Sequence, residues 1–166
     1  MDGLKRVIVI GCPGSGKSTF ARALQAKTGL PLHYLDMMFW NADKTTVSRE
    51  EFDKRLDAVL ATERWLIDGN YSRTLEKRIS ACDTVYFLDL STEECLSGVK
   101  QRQGKPRPDM PWVENGEDAE FLKFIKDFAT YSRPKILSLL EKYSDKRSVV
   151  FHSHEEIDKY LSDFDE

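Results

Sequence analysis

The amino-acid sequence predicts an α/β protein of one domain, a three-layer α/β/α sandwich built on a five-stranded parallel sheet. Apolar, strand-like runs alternate with amphipathic helical segments along the 166 residues, and this alternation is typical of a parallel sheet with right-handed crossovers. The first run is apolar on both faces and breaks into glycines, and three of the runs end in aspartate. We expect residues 1–166 to form a single domain, because the length suits one core and the sequence has no internal repeats.

The first strand and the loop after it occupy residues 7–19, with the sequence VIVIGCPGSGKST. The β-branched run predicts a buried central strand, and the glycines allow the next backbone N–H groups to converge on one point. The amphipathic helix that follows adds the positive end of its dipole. A lysine and a serine at these positions bind the β- and γ-phosphates of ATP and a Mg²⁺ ion. The predicted cofactor-binding residues are Gly11, Pro13, Gly14, Ser15, Gly16, Lys17, Ser18 and Thr19, with Ser18 also a metal ligand.

The alternative interpretation of this loop is a glycine-rich turn without a ligand. It is disfavoured because the motif follows a predicted strand and opens an amphipathic helix. Cys12 lies inside the loop, where amide dipoles would lower the pKa of its thiol, or where it serves only as a small spacer.

The next elements are a second strand at residues 32–36, a polar loop at 41–46 and a helix at 50–61. Ser48, followed three residues later by Glu51, forms a capping box that marks the start of this helix. Residues 65–68 and 84–89 are the third and fourth strands, with a short helix between them. Ser91 caps the following helix, which runs to about Gln103.

The C-terminal part begins with the proline-rich, basic segment GKPRPDMP at residues 104–111, which cannot form regular structure and is the candidate lid. A long helical region over residues 118–142 should be broken near Pro134, because proline removes a helix hydrogen bond. A fifth strand at 148–151 and a helix from His154 or Glu155 to Leu161 complete the chain.

Composition limits the possible partners and the compartment. The net charge of −3 and the pI of about 5.7 argue against a large nucleic-acid or membrane footprint. Cys12, Cys82 and Cys95 have no metal-ligand spacing, which indicates a reducing cytosol. The N-terminal apolar run is too short for a signal peptide or a membrane span. We expect a soluble, cytoplasmic monomer or homodimer whose partners are a nucleotide and a small-molecule acceptor.

Four segments together resemble the adenylate-kinase-like proteins often labelled DNA topology modulation proteins. They are the phosphate loop, LD at 35–36 with FW at 39–40, DGNYSR at 68–73 and RPDM at 107–110. The similarity extends from Val7 to Leu161. It implies a nucleoside-monophosphate-kinase fold with strand order 2-3-1-4-5, an acceptor-binding helical segment at about 37–64 and a lid at about 104–116. It leaves the acceptor open.

Arginines are the candidates to hold the transferring phosphoryl group, because phosphoryl transfer needs positioned positive charge and a guanidinium binds phosphate oxygens in pairs. The DGNYSR segment looks like the adenylate kinase segment that places an arginine on the acceptor phosphate. Arg73 and Arg107 are therefore predicted to act with Lys17 in catalysis, and Arg102 and Arg133 to bind the nucleotide. For each arginine, the alternative is a solvated surface charge.

Three aspartates fall at predicted strand ends, where open α/β sheets bind ligands. By similarity to small-molecule kinases of this fold, Asp36 orients or deprotonates an acceptor hydroxyl; the alternative is a cap or loop hydrogen bond. Asp68 is predicted to act on Mg²⁺ through water, beside Ser18. Asp89 is the weaker candidate, because Ser91 already caps the next helix.

Three aromatic residues, Phe39, Trp40 and Tyr71, either stack on a base and form the floor of the acceptor pocket or belong to the core. The function predicted from all these features is ATP-dependent phosphoryl transfer to a nucleotide or other small acceptor. The alternative is a regulatory NTPase that affects DNA topology without such an acceptor, which the negative charge and the lack of a basic helix disfavour.

Overall fold

The computed structural model describes residues 3–111 and 119–164. Its centre is one parallel sheet in the order β2-β3-β1-β4-β5, as predicted. The strands are β1 (Arg6–Gly11), β2 (Leu32–Tyr34), β3 (Trp65–Asp68), β4 (Thr84–Leu88) and β5 (Arg147–Phe151). All four strand pairings are parallel, and β1 lies in the middle between β3 and β4.

Eight α-helices connect or flank the described strands. They are α1 (Lys17–Thr28), α2 (Leu35–Phe39), α3 (Arg49–Leu60), α4 (Ser72–Ala81), α5 (Thr92–Arg102), α6 (Ala119–Asp127), α7 (Arg133–Lys142) and α8 (His154–Phe164). The predicted caps are present, since the hydroxyls of Ser48 and Ser91 accept hydrogen bonds from the backbone N–H groups of Glu51 and Glu94. These bonds satisfy amides that the first helical turn leaves unpaired.

Alternate residues of the central strands enter two separate cores. Val7 and Val9 of β1 pack with Phe20 and Leu24 of α1 on one face of the sheet. Ile8 and Ile10 of β1 point to the other face. They pack there with apolar residues of α3, α4, α5 and α7: Leu56, Leu75, Ile79, Val99 and Ile136. The result is the predicted three-layer α/β/α sandwich, with both faces of the sheet covered.

The second strand is shorter than predicted. Only Leu32, His33 and Tyr34 pair with β3, because β3 itself ends at Asp68, the partner of Tyr34. The chain then turns into the five-residue helix α2, which places Asp36 in a first helical turn and not at the end of a strand. Asp36 nevertheless lies at the carboxyl edge of the sheet, directly after β2.

The predicted break near Pro134 is a widened helical turn. Phe128–Ser132 form a π-helix between α6 and α7, and the N–H of Arg133 donates to the carbonyl of Phe128. Pro134 follows at the start of α7, where its missing N–H is tolerated. In the described residues, no helix is both long and apolar enough to span a bilayer.

Candidate active site

The phosphate loop connects β1 to α1 and is packed directly on the backbone of α5. Gly14 and Gly16 have φ values of +87° and +94°, a conformation that side chains disfavour. A Cβ on Gly14 would lie 2.0 Å from the carbonyl oxygen of Cys95, and a Cβ on Gly98 would lie 2.1 Å from that of Gly14. Two glycines on separate elements thus allow this contact, and the second of them was not predicted to matter.

Asn70 fastens the end of β1 to the loop after β3. Its side-chain amide donates to the carbonyl of Gly11 at 2.7 Å, and its carbonyl oxygen accepts from the N–H of Gly11 at 3.0 Å. Backbone pairing of β1 with β3 stops at Val9 and Asp68. The Asn70 side chain therefore continues the ladder by two hydrogen bonds to the first residue of the phosphate loop.

Arg78 supports the loop between β3 and α4 from its buried side. This arginine of α4 is completely buried, and its guanidinium donates to the carbonyls of Gly69, Asn70 and Tyr71. Burial lowers the pKa of the guanidinium, and the nearby charge of Asp68 opposes that shift. Arginine remains a cation in proteins, so Arg78 brings a buried positive charge to the carboxyl edge of the sheet.

Ser18, Asp68 and Asp109 bring oxygen atoms together beside the phosphate loop. The Ser18 hydroxyl donates to Asp68 at 2.6 Å and lies 3.1 Å from a carboxylate oxygen of Asp109. Both acids are buried, and the second oxygen of Asp68 is buried without a hydrogen-bond partner. Burial raises the pKa of Asp68, an effect that the charge of Lys17 opposes.

This donor set fits Mg²⁺. Hard oxygen ligands from one or two carboxylates and a hydroxyl, completed by phosphate oxygens and water, are what Mg²⁺ takes in phosphoryl-transfer sites. The unpartnered Asp68 oxygen is an acceptor that a cation would satisfy. Among residues 3–111 and 119–164, no three His, Cys, Asp or Glu side chains form a metal cluster by themselves, so phosphate would have to complete the site.

A cavity of about 770 Å³ opens between the phosphate loop, the β3–α4 loop and the helices α2, α5, α6 and α7. This volume suits a site for small molecules. Pro13 and Lys17 line it from the phosphate loop and the start of α1, and Asp36 lines it from α2. Six aromatic residues contribute to its walls: Phe39, Trp40, Tyr71, Phe121, Phe124 and Phe128.

Asp36 accepts a 2.5 Å hydrogen bond from the hydroxyl of Tyr71 inside this cavity. Burial raises the pKa of the Tyr71 phenol, and the Asp36 carboxylate raises it further, so the phenol stays protonated as the donor. Tyr71 has φ +38° and ψ 75°, a left-handed conformation that is strained for a bulky side chain. Arg78, bonded to the Tyr71 carbonyl, holds the residue in this conformation.

The four predicted arginines are divided between the cavity and its surroundings. Arg102 and Arg107 line the cavity, and Nε of Arg107 lies 3.5 Å from Asp109. Arg73 does not line it, because both terminal nitrogens of its guanidinium bond Asp53 on α3, at the protein surface.

Arg133 also lies outside the cavity lining. Its Nε sits 2.9 and 3.0 Å from the two carboxylate oxygens of Asp89. The structure thus places Arg73 and Arg133 outside the cavity lining, each bonded to a carboxylate, and their predicted roles at an acceptor and a nucleotide stay predictions. Asp89 serves to fix α7 to the end of β4.

The other residues predicted to bind the nucleotide, and the predicted lid, differ in how exposed they are. Ser15 is fully buried, and its carbonyl accepts a hydrogen bond from Nε2 of His154 at 3.2 Å. Gly16 is exposed on the loop, and Thr19 is exposed in the first turn of α1. In the predicted lid, the described residues 104–111 have neither helix nor strand, and residues 112–116 lie outside the described residues.

Cys12 is a buried spacer and not an activated thiol. It belongs to the core under the phosphate loop, next to Cys95. The hydrogen bond with Cys95 raises the pKa of the Cys12 thiol, and burial adds to this. Amide dipoles of the loop therefore do not produce a thiolate here.

Sequence reasoning missed roles for Asn70, Arg78, Asp109 and Gly98. Asn70 and Asp109 stand inside segments that carried the family resemblance, and a glycine inside an amphipathic helix is itself a signal of close packing. Nothing in the local sequence distinguishes Arg78 from the neighbouring surface cations of α4.

No family model and no curated protein matches this chain. Among solved structures, a shikimate kinase from Acinetobacter baumannii in complex with shikimate is similar, with a TM-score of 0.64, 13% identity and coverage of 97% of this chain and 93% of that one. A shikimate kinase from Bacteroides thetaiotaomicron has a TM-score of 0.56 and 19% identity, covering 97% and 96%. The chain shares the P-loop kinase-like fold of these proteins. The resemblance to DNA topology modulation proteins stays a prediction.

Proposed function

We propose that this protein is an ATP-dependent kinase that transfers the γ-phosphoryl group to a hydroxyl of a small acceptor. The observation that supports this most directly is the shared cavity. Lys17 of α1 and Asp36 of α2 line the same cavity, as does Asp109 of the lid segment, which lies 3.1 Å from the Ser18 hydroxyl. A nucleotide switch without an acceptor would have no use for the Asp36 carboxylate in this cavity.

In the proposed reaction, ATP is bound by the amides of the phosphate loop and by Lys17, with Arg102 and Arg107 near the phosphates. Ser18 and Asp68, with Asp109 beside them, would hold Mg²⁺, which would supply positive charge against the phosphate oxygens. Asp36 orients the acceptor hydroxyl and takes its proton. The acceptor oxygen forms a bond to the γ-phosphorus as the bond from that phosphorus to the bridging oxygen breaks, and ADP leaves.

Asp36 suits this role because a carboxylate has more acceptor capacity than the Tyr71 hydroxyl uses. The bond from Tyr71 fixes the orientation of the carboxylate. Preorganised groups of this kind need no rearrangement during the reaction. General-base assistance is worth about 10²- to 10⁴-fold in rate.

The test is acceptor-dependent release of ADP from ATP·Mg²⁺, with the phosphorylated acceptor identified by mass. We expect Lys17→Ala to lose about 10²-fold or more of the turnover, because a preorganised charge at the transferring phosphoryl group is removed. Lys159→Ala, a matched change of an exposed lysine on α8, should retain full turnover. Turnover of Lys17→Ala within a few fold of wild type at saturating ATP would refute the proposal.

A further inference from the structure

We propose that the acceptor is a flat aromatic molecule that carries an alcohol and needs neither a phosphate nor a carboxylate for binding. This inference rests on the proposed kinase function and specifies its acceptor. Nucleosides and hydroxymethyl-substituted heteroaromatic rings both have this chemistry. The argument follows from the aromatic walls of the cavity, the placement of its cations and the position of Asp36.

One aromatic wall is formed where α2 meets the β3–α4 loop. The rings of Phe39 and Trp40 are 5.2 Å apart at 83°, and those of Phe39 and Tyr71 are 5.2 Å apart at 65°. Phe52 packs behind both Phe39 and Tyr71, at 5.8 and 5.3 Å. The contacts of Phe39 are edge-to-face and the contact of Phe52 with Tyr71 is tilted at 33°, so the rings hold one another in place before a ligand arrives.

A second aromatic wall comes from α6 and the π-helix. Phe121, Phe124 and Phe128 line the same cavity at a spacing of three and four residues, which places them on one helical face. Phe128 is buried, yet the Phe124 side chain beside it, 6.3 Å away, is 45% exposed. A ligand with a flat apolar face would cover this exposed ring.

The two arginines that line the cavity come from α5 and from the lid segment. Arg107 is paired with Asp109, which contacts Ser18 of the phosphate-loop helix. The guanidinium carbon of Arg102 lies 5.9 Å from the centre of the Phe121 ring, so this arginine lies against the second aromatic wall. Arg73, the arginine expected at the acceptor, is held outside by Asp53. In the described part of the chain, the other cations of the cavity lining, apart from Lys17, are the lysines Lys44 and Lys135.

Lys135 donates to the carbonyl of Ser72 at 3.2 Å, so it is engaged in holding α7 to α4. A paired clamp for a carboxylate or phosphate is best made by an arginine fork. Around α2 and the β3–α4 loop, where Asp36 and the first aromatic wall lie, the described cavity lining includes no arginine. The aromatic walls of the cavity therefore favour an acceptor with a ring. The cations near Asp36 do not require that this acceptor carry an acidic group.

Asp36 supplies the contact that an alcohol needs. Its carboxylate lies in the cavity next to Tyr71 and on the same short helix as Phe39. A ring held against Trp40 would present a substituent hydroxyl to this carboxylate. The hydroxyl proton passes to Asp36, the hydroxyl oxygen bonds the γ-phosphorus, and ADP carries away the electrons of the broken phosphorus–oxygen bond.

The experiment compares kcat/KM across four acceptor classes with ATP·Mg²⁺ and full-length protein: nucleosides, hydroxymethyl heteroaromatics, nucleoside monophosphates and shikimate. We expect kcat/KM for nucleosides or for hydroxymethyl heteroaromatics to exceed kcat/KM for nucleoside monophosphates and shikimate by at least tenfold. The ratio of kcat/KM between the first two classes shows which of them is the preferred acceptor. Preference for shikimate or monophosphates would overturn this inference and leave the proposed kinase function standing. No product from any class, with ATP·Mg²⁺ binding retained, would refute the kinase function and this inference together.

Variants test the wall directly. Trp40→Leu should raise the KM of the preferred acceptor at least tenfold and leave the KM of ATP within twofold, and Trp40→Phe should restore most of the acceptor KM. Met37→Ser is the matched control, because this α2 residue is 44% exposed and does not line the cavity. Thermal unfolding of each variant verifies the fold. Equal acceptor KM values for wild type and folded Trp40→Leu would overturn the inference.

Discussion

Asn70→Ala removes the side chain that ties the β3–α4 loop to the phosphate loop. The two hydrogen bonds lost, at 2.7 and 3.0 Å, both end on the backbone of Gly11. Gly11 is buried, so its N–H and carbonyl would be left without these partners. The change is therefore a test of whether this link matters for both stability and catalysis.

The expected loss of stability can be worked from these two bonds. A protein hydrogen bond contributes about 1 kcal/mol net, and a buried polar group left unpaired costs about 1–3 kcal/mol. Water can enter part of the space left by the side chain and replace some of the lost hydrogen bonding, so the total cost stays below the sum of the full penalties. We expect the free energy of unfolding to fall by about 2–4 kcal/mol. For a chain of this size, that corresponds to a fall in Tm of roughly 6–12 °C.

The assay combines urea unfolding with turnover at saturating ATP. Turnover of the folded variant should fall by about 10- to 100-fold, because a displacement of about 1 Å in a positioning group costs up to about 10² in rate. Asn70→Asp should be at least as damaging near neutral pH, since it places a carboxylate oxygen against the Gly11 carbonyl. Asn41→Ala, which removes an exposed turn hydrogen bond to Thr45, is the control and should change stability by less than about 0.5 kcal/mol.

Two results would refute this reasoning. An unchanged Tm for Asn70→Ala would mean that water replaces both bonds without cost. A lowered Tm with full turnover, measured well below the unfolding transition, would mean that the phosphate loop keeps its position without Asn70, held by its packing on α5 alone.

Three further predictions concern the acids and one surface arginine. Burial raises the pKa of Asp68 above its ordinary value of 3.8, so as the pH rises the unfolded chain ionises first and the native state loses stability. Asp68→Asn should therefore be more stable than wild type at neutral pH without Mg²⁺, and this difference in stability should vanish in acid. Its turnover should fall about 10²-fold or more. Equal pH profiles of Tm for the two proteins would contradict the stability prediction. Asp36→Asn should lower turnover by about 10²-fold or more with ATP affinity unchanged, as measured by ATP titration, and a loss of ATP affinity alone would assign Asp36 to the donor side. Arg73→Ala should leave turnover within about twofold of wild type in the same assay, because its guanidinium is engaged with Asp53 at the surface, and a large loss would restore the role predicted from the sequence.

The fold could be predicted because its determinants are local. The apolar run of β1, the glycines of the phosphate loop and the serine caps of α3 and α5 each act within a few residues. Local preferences that agree with one another specify a topology well. The sequence placed the end of β2 two residues too late, because that end is set by the length of β3, a strand that is distant in the sequence.

Parts of the candidate site could be predicted from a motif or from a strand end, as with Asp68, which lies beside Ser18 at the end of β3. Lys17 and Ser18 follow from spacing alone, and both lie where expected. Asp109 contacts Ser18 from 91 residues away and reaches it through a proline-rich segment without regular structure. No periodicity or spacing rule positions a side chain of such a segment, so this third oxygen group could be found only in three dimensions.

The placement of the two arginines of α4 shows how helical phase gives two like side chains different surroundings. At 100° per residue, Arg73 and Arg78 are separated by about 140° around the helix. Since α4 begins at Ser72, this phase directs Arg73 toward Asp53 at the surface and Arg78 into the interior. The interior guanidinium is then used on three backbone carbonyls of the loop that carries Tyr71, and not on an anionic ligand. The arginine of the DGNYSR segment thus lies at the surface, and the arginine five residues later supports the loop from its buried side, so neither lines the cavity. This placement agrees with the acceptor without a phosphate that we propose.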